Sequence, residues 1–156
     1  MISISKKLTG SAQTIRVSSD WIANGHWAIA VSELRPGWDS NIDVDIEPMP
    51  KNEIDVIAQI LANADYRDLS RYVASPWIND CVKDQPARIL TPASGAGESV
   101  PIMLDYWRAL TRKGSIAWVK SPREPIYLTH DINAFDAVQV YAIVMPMRLA
   151  STKVPT

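Results

Sequence analysis

Near its end the chain carries four apolar residues in a row, Ala142, Ile143, Val144 and Met145, followed at once by Pro146. A short run that is apolar at every position reads as a strand buried on both faces. Proline then stops the strand, because it has no N–H to give to the ladder. Met147, Arg148 and Leu149 come next. Two methionines and a leucine beside a proline read in one of two ways. They are the end of the last core strand, or they form an apolar surface whose flexible thioethers adapt to a varied partner.

The segments before that strand supply the rest of a sheet. Residues 14–18 alternate as a half-buried strand, residues 20–25 turn the chain at Asn24-Gly25, and residues 26–34 alternate again. Trp27, Ile29 and Val31 fall on one side, Ala28, Ala30 and Ser32 on the other, so residues 14–34 are predicted to form a hairpin. In residues 39–50, Asp43, Asp45 and Glu47 alternate with Ile42, Val44 and Ile46. Such an acidic row can be read as metal ligands, but carboxylates along a strand more often blunt an edge against aggregation.

A helix opens at Pro50 and Asn52, with Ile54, Ile57, Ile60, Leu61 and Ala64 at spacings of three and four, and Asp55 three residues after Asn52. Residues 65–74 are expected to continue as a second short helix. Strands are predicted at 87–91, 99–103, 116–120, 125–129 and 137–145. A hairpin loop spans 92–97, whose glycines lack the lysine of a phosphate-binding loop. Residues 105–112 read as a helix closed by Lys113-Gly114. The sum is an α+β domain, a mostly antiparallel sheet with two or three helices on one face. Residues 1–149 form the domain and 150–156 a tail.

Composition narrows the function. Sixteen basic residues against 17 acidic ones argue against a strongly electrostatic nucleic-acid binder, though not against a locally basic face. One cysteine, Cys81, leaves no internal disulfide and fits a reducing cytoplasm. The first residues lack the apolar stretch of a signal peptide, and no apolar run reaches the roughly 20 residues of a membrane helix. Six tryptophans, Trp21, Trp27, Trp38, Trp77, Trp107 and Trp118, are many for 156 residues, and suggest a surface that pairs with another copy. The two histidines give a thin case for catalysis. His130-Asp131 offers a base and a carboxylate, but neighbours on a strand point to opposite faces, and no Cys/His cluster has ligand spacing. The chain reads as non-catalytic, with no cofactor.

The ending Val144-Met145-Pro146-Met147-Arg148-Leu149 resembles the end of the bacterial DNA polymerase sliding clamp. The likeness extends over about a third of the chain, through Pro101-Ile102-Met103-Leu104, Asp105-Tyr106-Trp107-Arg108-Ala109-Leu110, residues 116–120 and Pro125-Ile126-Tyr127-Leu128, to the second half of that family's third domain. A second likeness is Ala23-Asn24-Gly25-His26-Trp27, which keeps the Gly-His of a family loop that walls the same peptide pocket. The resemblance implies a clamp-like fold and a groove for a short apolar motif of a protein partner. The groove residues would be Val144, Met145, Pro146, Met147 and Arg148, with His26 and Trp27. It also implies a helix facing double-stranded DNA through Arg108, Arg112 and Lys113. The expected protein is a homo-oligomeric ring or clamp subunit tethering a DNA enzyme, carried by a phage or mobile element. The alternative is a clamp-fold protein that binds or blocks a host replication or defence protein without encircling DNA.

Overall fold

The computed structural model describes residues 1–10, 14–40, 42–82 and 85–147, with backbone alone at 77–82. Arg148 and the 150–156 tail lie outside the described residues. A short helix, α1 (Lys6–Thr9), is capped by the Ser5 hydroxyl, which accepts from the Lys7 N–H. Three strands follow as a meander, β1 (Thr14–Val17), β2 (Trp21–Ala23) and β3 (Trp27–Ala30). The Asn24-Gly25 turn is where the sequence puts it, but an additional strand, β2, occupies residues expected to be loop. Ser18 makes this possible by closing a tight turn with Trp21 through both its hydroxyl and its N–H.

The acidic row becomes β4 (Asp45–Pro48), exposed throughout and paired in parallel with β1 at one edge of the sheet. Among the described residues no group of three or more His, Cys, Asp or Glu is placed to hold a metal ion. Helix α2 (Lys51–Asn63) starts at Pro50 with no side-chain cap, so the Asn52–Asp55 arrangement plays no part. Residues 65–74 do not form a second helix. The chain turns at 66–68 and enters β5 (Ser70–Val82), which pairs with β6 (Gln85–Pro92). Leu69, Tyr72 and Val73 have helical spacing, but partners on both sides of β5 outweigh that weak local preference. Then come β7 (Val100–Met103), α3 (Leu104–Leu110), β8 (Ile116–Val119), β9 (Ile126–Thr129) and β10 (Val140–Val144). A 3-10 turn, Ala137–Gln139, takes the first residues expected in the last strand.

The ten strands form one sheet in the order β4-β1-β2-β3-β10-β9-β8-β5-β6-β7, antiparallel except for β1–β4. Side-chain alternation divides the apolar residues into two cores. Ile15, Ile22, Ile29, Ile102, Leu128 and Val144 share one core with Leu8 of α1 and Leu110 of α3. Ala28, Trp118, Tyr127 and Ile143 share the other with Ile57 of α2 and Phe135. The helices therefore pack on both faces, which corrects the expectation of one. Three residues of the apolar run, Ala142 to Val144, are explained by this, since β10 sits mid-sheet and feeds both cores with all five of its residues buried, whereas Met145, expected inside the strand, lies past its end and is exposed. Ile15, beside one edge, and Ile102, on the other edge strand, belong to the same core, so the sheet curls around α1 and α3.

The tryptophans are mostly spent inside. Trp27 and Trp118 are buried, and Trp21, Trp38 and Trp107 pack partly buried against the cores. The side chain of Trp77 lies outside the described residues, and the tryptophans that are described form part of the two cores. No described helix is long and apolar enough to cross a membrane.

Candidate functional site

The β2–β3 turn and the end of β10 are brought together by the ladder. Val144 lies opposite Trp27 in β3, and one residue further the Met145 N–H donates to the His26 carbonyl at 2.9 Å. Pro146 cannot extend the pairing, so Met145 is the last side chain on that line.

The turn is held rigidly. Asn24 is buried, and its Oδ1 accepts from the His26 N–H at 2.9 Å and the Trp27 N–H at 3.1 Å. Gly25 takes φ 93°, a conformation that side chains with a Cβ rarely adopt. The Trp27 indole N–H donates to the Leu8 carbonyl at 2.9 Å, which fixes the ring in the core beneath.

Beside the turn lies an apolar groove of about 130 Å³ between α2 and the β2–β3–β10 rim. Val56, Ile57 and Ile60 form its helical wall, and Gly25, His26 and Met145 are among those on the other side. Val56 is 55% exposed and Met145 39%, so carbon faces water on both sides. Arg16 and Glu53 form an ion pair at its border, from β1 to α2, each about three-quarters covered. The groove therefore contains one carboxylate, already neutralised.

The groove residues named from the sequence separate into several roles. Met145 and His26 line the groove with accessible side chains. Val144 is fully buried on the opposite face and supports the rim from beneath, while Trp27 lines the groove and is itself buried, packed in the same core as Val144. Met147 turns away: its N–H donates at 2.9 Å to Pro101 of the edge strand β7, and it does not line the groove. That hydrogen bond also explains Pro101, whose missing N–H costs nothing on an edge while its carbonyl is used. Sequence reasoning missed the α2 wall. The signal was present in Val56, an apolar residue off the buried stripe of that helix.

Arg108, Arg112 and Lys113 are exposed on and after α3. Arg112 is engaged, its guanidinium donating to the carbonyls of Met1, Ala109 and Thr111. α1 packs against α3, so Lys6 and Lys7 lie on the same side of the sheet.

His130 does not pair with Asp131. Its Nε2 lies 2.7 Å from Glu33 Oε1, and its ring stacks on Tyr141 at 4.5 Å. The Tyr141 hydroxyl donates to the Leu110 carbonyl at 2.7 Å and meets Ser115 Oγ at 2.9 Å. Ser115 thus faces the tyrosine rather than the imidazole, and the cluster ties α3 and the loop after β9 to the sheet. Burial holds the Tyr141 hydroxyl above its ordinary pKa, with the nearby Glu33 adding to the effect.

Comparison with protein-family models, curated proteins and solved structures finds no match to this chain. The functional reading therefore rests on the groove itself.

Proposed function

We propose that this chain is a non-catalytic interaction protein with a clamp-like fold, which holds a protein partner by a short apolar segment in the groove between α2 and the β2–β3–β10 rim. In this reading it acts without encircling DNA, in the cytoplasm, on a replication or defence protein of the host of a phage or mobile element. The observation that carries it is the Met145–His26 hydrogen bond. The two segments that resemble the clamp family's peptide pocket are far apart in sequence, yet they meet at one exposed apolar groove. The physical argument stands beside the resemblance. A flexible thioether at the end of a stopped strand can reshape around an incoming leucine or phenylalanine, and the helical wall presents Val56 to the same guest.

Isothermal titration with a peptide carrying a Leu-Phe pair tests the proposal. The intact chain is expected to bind in the micromolar range, and Met145→Glu to lose at least about tenfold, or 1.4 kcal/mol, with an unchanged melting temperature. Absence of binding by the unmutated chain overturns it.

A second reading is favoured by one observation. Lys6, Lys7, Arg108 and Lys113 are exposed on or beside two packed helices, a basic face suited to duplex phosphates. One domain of about 30–40 Å cannot surround DNA, so this reading needs a ring of several copies. Light scattering separates the two: 17.3 kDa supports the groove alone, and a closed multimer supports the ring.

A further inference from the structure

His26 lines two cavities at once. One is the apolar groove; the other, of about 390 Å³, lies between α1, the start of α3 and the beginning of β6. α2 walls the first and α1 with α3 the second, so the two cavities lie on opposite faces of the sheet and meet over the β2–β3 turn. The second cavity differs in charge. Lys6 and Lys7 of α1 line it and are exposed, and among the described residues neither forms an ion pair. Asp105 is the one carboxylate among its described lining residues, so two lysines stand against one aspartate. The Ser5 cap fixes the start of α1 and with it the origin of both lysine side chains. Tyr106 lines the α3 side of the cavity, and Asn24, which shapes the His26 turn, reaches toward α1 with its Nδ2 donating to the Leu8 carbonyl at 3.5 Å.

We infer that the segment this protein binds is acidic as well as apolar: its apolar residue fills the groove, and a flanking carboxylate reaches Lys6 and Lys7. The inference rests on the groove being a peptide site, as proposed above. The reach is short. A sheet with its side chains is about 10 Å thick, and four extended residues span about 13 Å, enough to cross the rim at Gly25-His26. The exposed His26 ring is available at the crossing point, and Gly25 leaves room for a passing backbone. The neutral groove confers no charge preference of its own, because Glu53 is already paired with Arg16. Selectivity for an acidic ligand therefore comes from the α1 lysines.

Fluorescence anisotropy on the full chain tests this with three fluorescein-labelled peptides. The first has a Leu-Phe pair flanked on both sides by aspartates, the second replaces the aspartates by asparagines, and the third keeps the aspartates without Leu-Phe. The first is expected to bind about tenfold more tightly than the second, by charge attraction that salt screens. Its advantage should fall below about twofold in the Lys6→Ala/Lys7→Ala double variant, and likewise in about 0.5 M salt. The second peptide should bind both proteins equally, and the third neither. Equal affinity for the first two overturns the acidic assignment and leaves the groove standing, whereas no binding by either overturns both. An advantage that persists in the double variant, or tight binding of the third peptide, overturns it as well. A short DNA duplex that displaces the first peptide from wild type but not from the double variant assigns the lysines to phosphates instead.

Discussion

Val144 and Met145 are neighbours with opposite surroundings. Val144 is fully enclosed beneath the rim, and Met145 is 39% exposed above the groove. Val144→Ala should cost about 2 kcal/mol through lost burial and the cavity left behind. Met145→Ala should cost less than about 1 kcal/mol, and urea melts of the two variants side by side check the contrast. Asn24→Ala leaves the His26 and Trp27 N–H groups without their acceptor, a loss of about 1–3 kcal/mol in the same melts. The burial of Val144 was legible in the sequence as part of an apolar run, but the exposure of Met145 was not, because that run is apolar at every position and does not show where the ladder ends. The departure of Met147 was not legible either. Past Pro146 the chain leaves the ladder, and its direction depends on the sheet curl that brings β7 within reach. Nor could alternation reveal that the Trp27 indole N–H would find the Leu8 carbonyl, since that needs α1 in place.

Among the elements, α2 bears most directly on the groove. Ile57, Ile60, Leu61 and Ala64 face the sheet, while Ile54 and Val56 are exposed, so the buried stripe is narrower than the apolar spacing suggests. Two polar contacts hold the helix down: the Arg16–Glu53 pair, and the Tyr127 hydroxyl donating to the Ile60 carbonyl at 3.2 Å. Ile57→Ala should cost about 2–5 kcal/mol and weaken peptide binding as well, because the same side chain is core and groove wall. A calorimetric melt paired with the titration checks both. The sequence located α2 through its periodicity and its opening proline. It did not disclose which face of the sheet the helix covers, because either face of a mid-sheet apolar strand offers the same kind of surface. The segment after α2 was misread for a related reason: β5 is decided by its neighbours, β8 and β6, which are distant in sequence.

For the whole molecule, four tyrosines set an alkaline limit, and two of them, Tyr127 and Tyr141, tie α2 and α3 to the sheet. Burial raises the pKa of Tyr72, Tyr106, Tyr127 and Tyr141 above the ordinary 10.0. A raised folded-state pKa means that the unfolded chain loses these protons first, so stability is complete below about pH 10 and falls as pH rises through the folded values. The hydroxyls of Tyr72, Tyr127 and Tyr141 donate to carbonyls, a role the ionised forms cannot fill. Melting temperature is thus expected to stay level to about pH 9 and drop above pH 10, alongside tyrosinate absorbance. A melting curve indifferent to pH up to 12 would show that the Tyr127 and Tyr141 hydroxyls do not couple the helices to the sheet.

The most direct test of the groove is an amide correlation spectrum of the labelled chain, recorded as a Leu-Phe peptide is added. Shifts are expected at Gly25, His26, Met145 and along α2 from Glu53 to Ile60, the residues that surround the groove. They should be absent from the exposed edge strand β4, on the far side of β1. Shifts confined to β4 or to the loop after β9, or no shifts at all at saturating peptide, would contradict a binding site at the groove.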